Sequence, residues 1–347
     1  MTTDAQWVAG LEERARAALP SAVFDYLRQG ARDEVTLDRS LTAWREVALY
    51  PRTLVDVREV DPAVTLLGRR HPAPIGVAPT TLQRAVHPEG ERAMARAVAA
   101  ADGVLVVSSN AGTPFADIGA TGVWWWVQAY LPTERSLAEP MLRRAVAAGA
   151  AAVVLTVDTP VVGTKYPRTE QGDVVWDVVD PALLRVNFDT GYEDAPGSEK
   201  ALDLGPRDID WLRSVTGLPV VVKGVLRPED AARATEAGAA AVWVSNHGGR
   251  QFDRAPSTAA ALPGVVQAVQ GRAEVYVDGG VRGGLDVLTA LALGADAAFV
   301  GRPALYALHE GESGVSRLLA ELVAQTVESM RLAGAVSVAA TRGLDRS

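Results

Sequence analysis

The chain has 347 residues, 48% of them apolar and 22% charged, and is longer than a typical compact domain of about 100 to 200 residues. This composition is ordinary for a globular protein and excludes collagen, coiled-coil and disordered chains. The net charge of −8, from 34 basic and 42 acidic residues, argues against nucleic acid or an anionic membrane as the main partner. Because cysteine is absent, disulfides, thiolate metal sites, iron–sulfur clusters and cysteine nucleophiles are excluded too.

The N-terminal segment carries acidic residues where a signal peptide would carry basic ones. The most apolar window, from Ala145 to Val157, is too short to cross a bilayer and is followed by Asp158. We therefore expect a soluble cytoplasmic protein with neither a membrane nor a nucleic acid as partner.

Eight short apolar runs, bounded by glycine, proline or polar residues, are typical of buried strands. They span 73–78, 103–108, 123–128, 152–157, 219–223, 240–245, 275–278 and 297–301. Alanine-rich segments of helical character lie between them, at 89–101, 135–149, 227–238, 257–270 and 284–294. This alternation predicts a parallel sheet covered by helices, and eight units at a spacing of about 20 to 30 residues predict an α/β fold with one closed (β/α)8 TIM barrel.

We interpret residues 1–347 as a single domain with three parts. Residues 1–70 form an N-terminal cover with helices and, at VTLLGRRHPAP, a hairpin across the bottom of the barrel. The barrel follows at 71–310, and 311–347 form a C-terminal helical segment. Residues 161–207, rich in Asp, Pro and Gly, follow the fourth strand and are predicted to be a lid, because loops of that length are usually lids or disordered.

Polar residues stand at nearly every predicted strand end, where barrel enzymes place their functional side chains. This pattern predicts a site for a polar cofactor or substrate. After the last two strands, the glycine-rich turn DGGVRGG and the pair Gly301-Arg302 are typical of a phosphate site built from backbone N–H groups and basic side chains.

His247 differs from the other three histidines, which we interpret as structural. It follows a strand directly, within SNHGGRQ, and two glycines let the chain pass close to a ligand. Arg250 adds a forked donor for a carboxylate or phosphate. A base beside an anion clamp is a catalytic arrangement, and Asp158 is a candidate to orient the imidazole.

Lysine is scarce: the chain contains only Lys165, Lys200 and Lys223. Lys223 lies in the apolar run PVVVKGV, where a bare ammonium is costly to bury without an anionic partner. Three interpretations stay open: a Schiff-base lysine, a cation that stabilises a negatively charged ring system, or a structural lysine that snorkels from the strand end.

Taken together, APTTLQRAVHPEGE, WVQAYLPTE, LTVDTP, PVVVKGV, SNHGGRQFD and DGGVRGG followed by GRP resemble one family across essentially the whole chain. The sequence resembles the FMN-dependent α-hydroxy-acid oxidases and dehydrogenases, and most of all the hydroxymandelate oxidases among them. The resemblance implies oxidation of an L-2-hydroxy acid to a 2-oxo acid by passage of two electrons to flavin N5, with either a carbanion or a hydride mechanism.

The resemblance also implies roles for matching residues. His247 would be the base, Asp158 its carboxylate partner and Lys223 the cation near flavin N1. Tyr26, Tyr130 and Arg250 would bind the substrate. FMN would contact Pro79, Thr80, Thr81, Ser108, Gln128, Thr156, Lys223 and Ser245, with its phosphate on Asp278, Gly279, Gly280, Val281, Arg282, Gly301 and Arg302. No metal site is expected, and members often form tetramers or octamers.

Three positions depart from the family pattern. Lys165 stands where a carboxylate-clamping arginine is usual; it keeps the charge but loses the bidentate fork, and Arg168 is an alternative clamp. Thr81 stands where many members have alanine or glycine, which leaves the electron acceptor, O2 or another, open. Asn110 replaces a bulky residue of glycolate oxidases and indicates a roomier or more polar pocket, suited to a larger, aryl acid.

Two other functions stay open at this stage. One is a phosphate-binding barrel aldolase or isomerase that uses Lys223. The other is a non-catalytic flavin-binding relic, for which the changes at Lys165 and Thr81 are the only support.

Overall fold

The computed structural model describes residues 4–166 and 174–346. A hairpin of β1, Val64–Leu66, and β2, Arg69–His71, precedes eight parallel strands that close into a barrel. The barrel strands are β3 Ile75–Val77, β4 Val104–Ser108, β5 Trp125–Ala129, β6 Val153–Thr156, β7 Val220–Val225, β8 Ala241–Val244, β9 Glu274–Val277 and β10 Ala297–Val300. Each lies within two residues of its predicted bounds, and the predicted TIM barrel is confirmed.

Helices surround the barrel and cover its ends. They are α1 Ala5–Ala9, α2 Leu11–Ala18, α3 Ser21–Arg28, α4 Val35–Thr42, α5 Gln83–Val86, α6 Gly90–Ala100, α7 Phe115–Gly119, α8 Glu139–Ala147, α9 Val175–Val178, α10 Pro206–Thr216, α11 Pro228–Glu236, α12 Thr258–Val269, α13 Gly284–Ala292, α14 Arg302–Leu308, α15 Gly311–Leu332 and α16 Val338–Thr341. Short 3-10 helices occupy Ala43–Glu46, Arg135–Ala138, Pro181–Leu184, Tyr192–Asp194 and His247–Gly249.

The helix predicted over 135–149 is divided in the structure. A 3-10 turn ends at Ala138, and α8 begins at Glu139 with Pro140 in its first turn. Proline has no backbone N–H to donate and is tolerated in the first turn of a helix but not in its interior. The α-helix therefore begins where proline is allowed.

The hairpin closes the bottom of the barrel, as predicted. Leu66, at the end of β1, is fully buried and packs with the large side chains that fill the barrel interior. Trp243 and Phe299 meet there with ring centroids 4.1 Å apart. A Cβ at Gly76 of β3 would lie 2.2 Å from the Phe299 ring. A glycine in this strand therefore makes room for an aromatic core that leaves only the opposite end of the barrel open.

The N-terminal helices reach that opposite end. The backbone N–H of Ala31 donates to the carbonyl of Gly249 at 2.8 Å, and a Cβ at Gly249 would lie 2.6 Å from the nitrogen of Leu37 in α4. The cover is therefore packed directly on the loop that follows β8. Within residues 4–166 and 174–346, no helix has the length and apolar character needed to span a membrane.

Candidate functional site

The predicted site residues come together at one rim of the barrel. Because all eight strands are parallel, their carboxyl ends meet on the same face. Lys223 in β7, the loop after β8 with His247, and the turn after β9 lie on this rim, and α3 brings Tyr26 to it from the N-terminal cover. Arg168, the alternative clamp, lies outside the described residues.

His247 and Asp158 form a hydrogen-bonded pair. The imidazole Nδ1 lies 2.9 Å from Oδ1 of Asp158, and the hydroxyl of Thr159 lies 3.2 Å from the same carboxylate oxygen and 3.3 Å from Nδ1. Burial opposes the charge on Asp158, but the charge of the neighbouring His247 and their hydrogen bond outweigh it and hold the pKa of Asp158 below its usual value. With Nδ1 bound to a carboxylate, Nε2 is the nitrogen left to take a proton from a substrate.

The backbone around this pair is strained. His247 has φ of +57°, and Gly248 and Gly249 follow with +62° and +76°. A left-handed conformation is uncommon for a residue with a side chain, and such strain is concentrated at functional sites. Gly224 has φ of +108°, and a Cβ there would lie 2.7 Å from the side chain of Asp158. Only glycine lets β7 pass this close to the carboxylate.

Arg250 is fastened to the end of α3. Its Nη1 donates to the carbonyls of Tyr26 at 2.7 Å and Gln29 at 2.8 Å, and the guanidinium lies 4.9 Å from the ring centroid of Tyr26. A cation is favoured at the C-terminal end of a helix. Within the described residues, Nε and Nη2 have no hydrogen-bond acceptor, so one edge of the fork is left for a carboxylate.

The two tyrosines lie in different surroundings. Burial raises the pKa of Tyr130, with a smaller contribution from the charge of Asp158, so its hydroxyl is a donor at neutral pH. The ring of Tyr26 packs edge-on against Trp176 of α9, with centroids 5.9 Å apart. Trp176 belongs to the segment predicted to be a lid, and the sequence offered no signal that it would reach Tyr26.

Lys223 is buried in a polar triangle. Its Nζ donates to Ser245 Oγ at 2.8 Å and lies 3.1 Å from Oδ2 of Asp278, while Ser245 donates to Oδ1 of the same carboxylate at 2.6 Å. Lys223 is 4% exposed and Asp278 6% exposed. The predicted cost of a bare ammonium is therefore avoided by an ion pair, and the Asp278 side chain faces Lys223, so only its backbone is left to contact a phosphate.

The strand ends beside this triangle fit a flavin. Nε2 of Gln128 in β5 and Oγ1 of Thr156 in β6 are buried and have no hydrogen-bond partner among the described residues. Unpaired buried polar groups are rare, and the polar edge of a flavin ring would supply acceptors and donors for both. Ser108 in β4 lies next to them and donates to Oε1 of Gln128 at 3.3 Å.

The end of the site near β9 and β10 fits a phosphate. Gly279 and Gly280 have φ of +91° and +87°, which bends the turn after β9 tightly. Arg282 and Arg302 have no carboxylate within salt-bridge distance in the part of the chain that the structure describes. Burial, together with the charges of Arg250 and Arg282, lowers the pKa of Arg302 to about 9, which indicates a region short of negative charge.

The Arg302 side chain has a second connection that the sequence did not predict. It donates to the carbonyls of Leu27 at 3.0 Å, Gly248 at 2.8 Å and Gln29 at 3.1 Å. Guanidinium has five N–H groups, so two remain for an anion. Arg302 thus ties the N-terminal cover to the His247 loop as well as lying beside the predicted phosphate position.

The loops after β3 and β4 are joined by Thr81, whose hydroxyl donates to the carbonyl of Asn110 at 3.0 Å. The neighbouring Thr80 accepts from Nε2 of Gln83 at 3.1 Å, and Pro79 precedes them in the loop after β3. The Thr81 hydroxyl is therefore satisfied locally.

Lys165 donates to the carbonyl of Gly163 at 2.6 Å and has no carboxylate partner among the described residues. Burial, with the charges of Arg250 and Lys200, lowers the pKa of Lys165 to about 8. Lys200 was counted in the sequence but not placed; its Nζ lies 4.0 Å from the ring centroid of Tyr130. All three lysines of the chain therefore lie at this rim; the sequence assigned no role to the third, and the scarcity of lysine is the signal that could have drawn attention to it.

Comparisons with known proteins agree with this geometry. Residues 15–344 match the family model described as FMN-dependent dehydrogenase. Glycolate oxidase 1 from Oryza sativa subsp. indica is 39% identical over 335 residues, which cover 94% of this chain and 91% of the rice protein. A peroxisomal (S)-2-hydroxyacid oxidase from Arabidopsis thaliana is 39% identical over 339 residues, covering 94% and 92%. A crystal structure of mandelate oxidase is 37% identical, covers 98% of each chain and has a TM-score of 0.88.

A family model that spans nearly the whole chain, relatives close to 40% identical and a site with unpaired polar groups in position for a flavin lead to one conclusion. This protein belongs to the FMN-dependent dehydrogenase family, the family of α-hydroxy-acid oxidases that its motifs resemble, and FMN is its cofactor.

Proposed function

We propose that this protein oxidises an (S)-2-hydroxy acid to the 2-oxo acid. The observation that carries the proposal is the pairing of His247 with Asp158, 2.9 Å apart, beside an Arg250 whose Nε and Nη2 edge has no acceptor within the described residues. A carboxylate on that edge brings the 2-hydroxy carbon of the same molecule toward the free Nε2 of the imidazole.

Each side chain then has a defined task. Arg250 and Lys165 bind the carboxylate, and Tyr26 and Tyr130 hydrogen-bond the substrate. His247 accepts a proton on Nε2, and Asp158 stabilises the imidazolium that results. When bound, FMN supplies the acceptor for two electrons. Lys223 places a buried positive charge where negative charge develops, and the low local dielectric strengthens its effect.

We further propose a substrate larger than glycolate. Asn110 accepts from Nη1 of Arg185 at 3.4 Å and so lines a polar space rather than filling it. Comparing kcat/KM for (S)-mandelate, (S)-lactate and glycolate tests the proposal. We expect kcat/KM to be at least tenfold higher for mandelate than for glycolate, because the burial of a few apolar groups contributes about 1 to 3 kcal/mol to the discrimination between substrates. A clear preference for glycolate would show that the pocket is small.

Lys165 should give the enzyme an alkaline limit. Its pKa of about 8 means that the ammonium which binds the substrate carboxylate is lost as the pH rises through that value. We expect kcat/KM to fall about tenfold between pH 7 and pH 9. Lys165→Arg stays charged over this range, so its profile should stay flat there. An unchanged alkaline limb in Lys165→Arg would assign the titration to another group.

The competing functions make different predictions. An aldolase needs a free lysine amine, but Lys223 is engaged by Asp278 and Ser245, so borohydride should trap no substrate on it. A non-catalytic relic would bind 2-hydroxy acids without bleaching the flavin under anaerobic conditions. Admission of oxygen after bleaching then reports whether O2 is the electron acceptor, which Thr81 leaves open.

Three other features belong to this proposal. Contact of Trp176 with Tyr26 supports a lid function for 161–207, although 167–173 lie outside the described residues. We propose the cytoplasm as the compartment, with which the absence of cysteine is compatible. Resemblance to the family supports a homo-oligomer, a tetramer or octamer, which light scattering on the purified holoenzyme would measure.

A further inference from the structure

Lys200 is a half-buried cation that the proposed chemistry does not use. Its backbone forms an isolated bridge with Pro132, and the N–H of Ala201 donates to the carbonyl of Leu131 at 2.9 Å. These contacts hold the segment against the chain just after β5. The side chain is thereby directed over the ring of Tyr130, with Nζ 4.0 Å from the centroid.

The position of Lys200 differs from that of the carboxylate clamp. Tyr130 and Lys200 lie on the side of the rim formed by β5, whereas Arg250 is hydrogen-bonded to the carbonyls of Tyr26 and Gln29 in the N-terminal cover.

On the β4 side of the rim, Arg185 hydrogen-bonds Asn110. The charge of Arg185 is balanced by Glu193, with Nε and Oε1 2.5 Å apart. Lys200 thus lies over Tyr130 on the β5 side of the rim, whereas Arg250 is held from the N-terminal cover.

The charges in this part of the site do not balance. Within the described residues, neither Lys165 nor Lys200 has a carboxylate within salt-bridge distance. Burial lowers the pKa of Lys200; the charge of Asp158 opposes this, and that of Arg185 adds to it. Both lysines are about half-buried and are therefore open to an incoming anion, and the family resemblance assigns the cofactor's phosphate to Arg282 and Arg302. One substrate carboxylate supplies a partner for Arg250 and Lys165, which leaves Lys200 without one.

We propose that Lys200 binds a second carboxylate at the far end of the substrate, so that the preferred substrates are 2-hydroxy acids whose side chain ends in an anionic group. The inference rests on the proposed oxidation and specifies its substrate class. The larger pocket proposed beside Asn110 would accommodate the spacer, aliphatic or aryl, between the two ends. The cation and the Tyr130 ring contact the distal carboxylate and the spacer.

The test compares matched pairs of substrates on the holoenzyme. One pair is (S)-2-hydroxyglutarate and the isosteric monoacid (S)-2-hydroxy-5-methylhexanoate, whose far end is neutral. The other pair is 4-carboxymandelate and 4-isopropylmandelate. The monoacid of each pair is called the neutral acid below. In at least one pair we expect kcat/KM to favour the diacid by about 10- to 100-fold, the usual effect of a hydrogen bond to a charged group. Calorimetry with 2-oxoglutarate and 2-oxo-5-methylhexanoate measures the same preference as binding, without turnover.

Variants separate this role from a structural one. Lys200→Met should lower kcat/KM for the diacid by the same factor and change the neutral acid by less than about threefold, while Lys200→Arg should retain most of the preference. Arg207→Met, which removes an exposed cation of the same segment paired with Asp203, is the control for net charge and should have no effect. Bound FMN and thermal unfolding report whether each variant is folded.

Every outcome decides between named alternatives. A diacid preference that disappears in Lys200→Met supports the inference. No preference in either pair overturns it, and so does a preference that survives in Lys200→Met. Equal losses for acidic and neutral substrates would make Lys200 a positioning residue for Tyr130. If neutral acids bleach the flavin without a diacid preference, only this inference fails; if no acid of either pair bleaches it, the proposed oxidation fails as well.

Discussion

Replacing His247 with alanine should leave FMN bound and slow its reduction by substrate about 10²- to 10⁴-fold, the usual contribution of a positioned general base. The imidazole Nδ1 is held by Asp158, and no other imidazole is placed on this pair within the described residues. Anaerobic stopped-flow measurement of flavin bleaching gives the rate directly. Because the variant removes only the base, bound FMN measured by absorbance should stay near one per chain.

The matched control is His87→Ala. His87 accepts a hydrogen bond from the backbone of Glu89 and lies beside Gly311 at the start of α15, so its loss should leave the reduction rate unchanged. The rate of flavin reduction in Asp158→Asn should lie between the rates of His247→Ala and His87→Ala. In this variant the imidazole keeps a neighbouring side chain but loses the carboxylate that stabilises its charged form. Normal reduction in His247→Ala would show that another group is the base.

Lys223→Met should have the second largest effect, on stability as well as on activity. It leaves Asp278 buried without its counter-charge, and breaking one partner of a buried ion pair costs about 3 to 5 kcal/mol. Lys223 and Asp278 are 4% and 6% exposed, so solvent cannot compensate. Urea unfolding of the protein stripped of FMN should show this loss in the free energy of unfolding.

The double variant Lys223→Met, Asp278→Asn separates the two roles. It removes both charges, so most of the lost unfolding free energy should return. Flavin reduction should stay slow, because the cation beside the cofactor is still absent. Recovery of the reduction rate together with stability would mean that Lys223 has a structural role only.

Much of the fold was predictable because it depends on local pattern. Eight apolar runs alternating with helical segments give a barrel, and the hairpin around Leu66 follows from two short strands and a glycine turn. The division of the helix at Glu139 follows from Pro140, which is visible in the sequence. Helix and strand periodicity require only neighbouring residues, which explains why the strand bounds agree within two residues.

The pairing of His247 with Asp158 was also predictable as a candidate, because both residues follow strand ends that a barrel brings to one rim. Their separation was not, since it requires Gly224 at φ of +108° and the left-handed backbone of His247. The hydrogen bonds of Arg302 and Arg250 to the carbonyls at the end of α3 could not be predicted from the sequence. Every residue has a backbone carbonyl, so the sequence does not show which of them accept a hydrogen bond from a side chain.

The sequence by itself determined which chemical groups are available: one histidine in a glycine-rich loop, no cysteine, and three lysines among 34 basic residues. Only the tertiary structure decided which of those groups have partners. Lys223 forms an ion pair with Asp278, whereas Lys165 and Lys200 have no carboxylate within salt-bridge distance among the described residues. Partnering depends on distances between residues far apart in the chain, and closure of the barrel sets those distances. The same closure brings Lys200 over Tyr130, across 70 residues of chain.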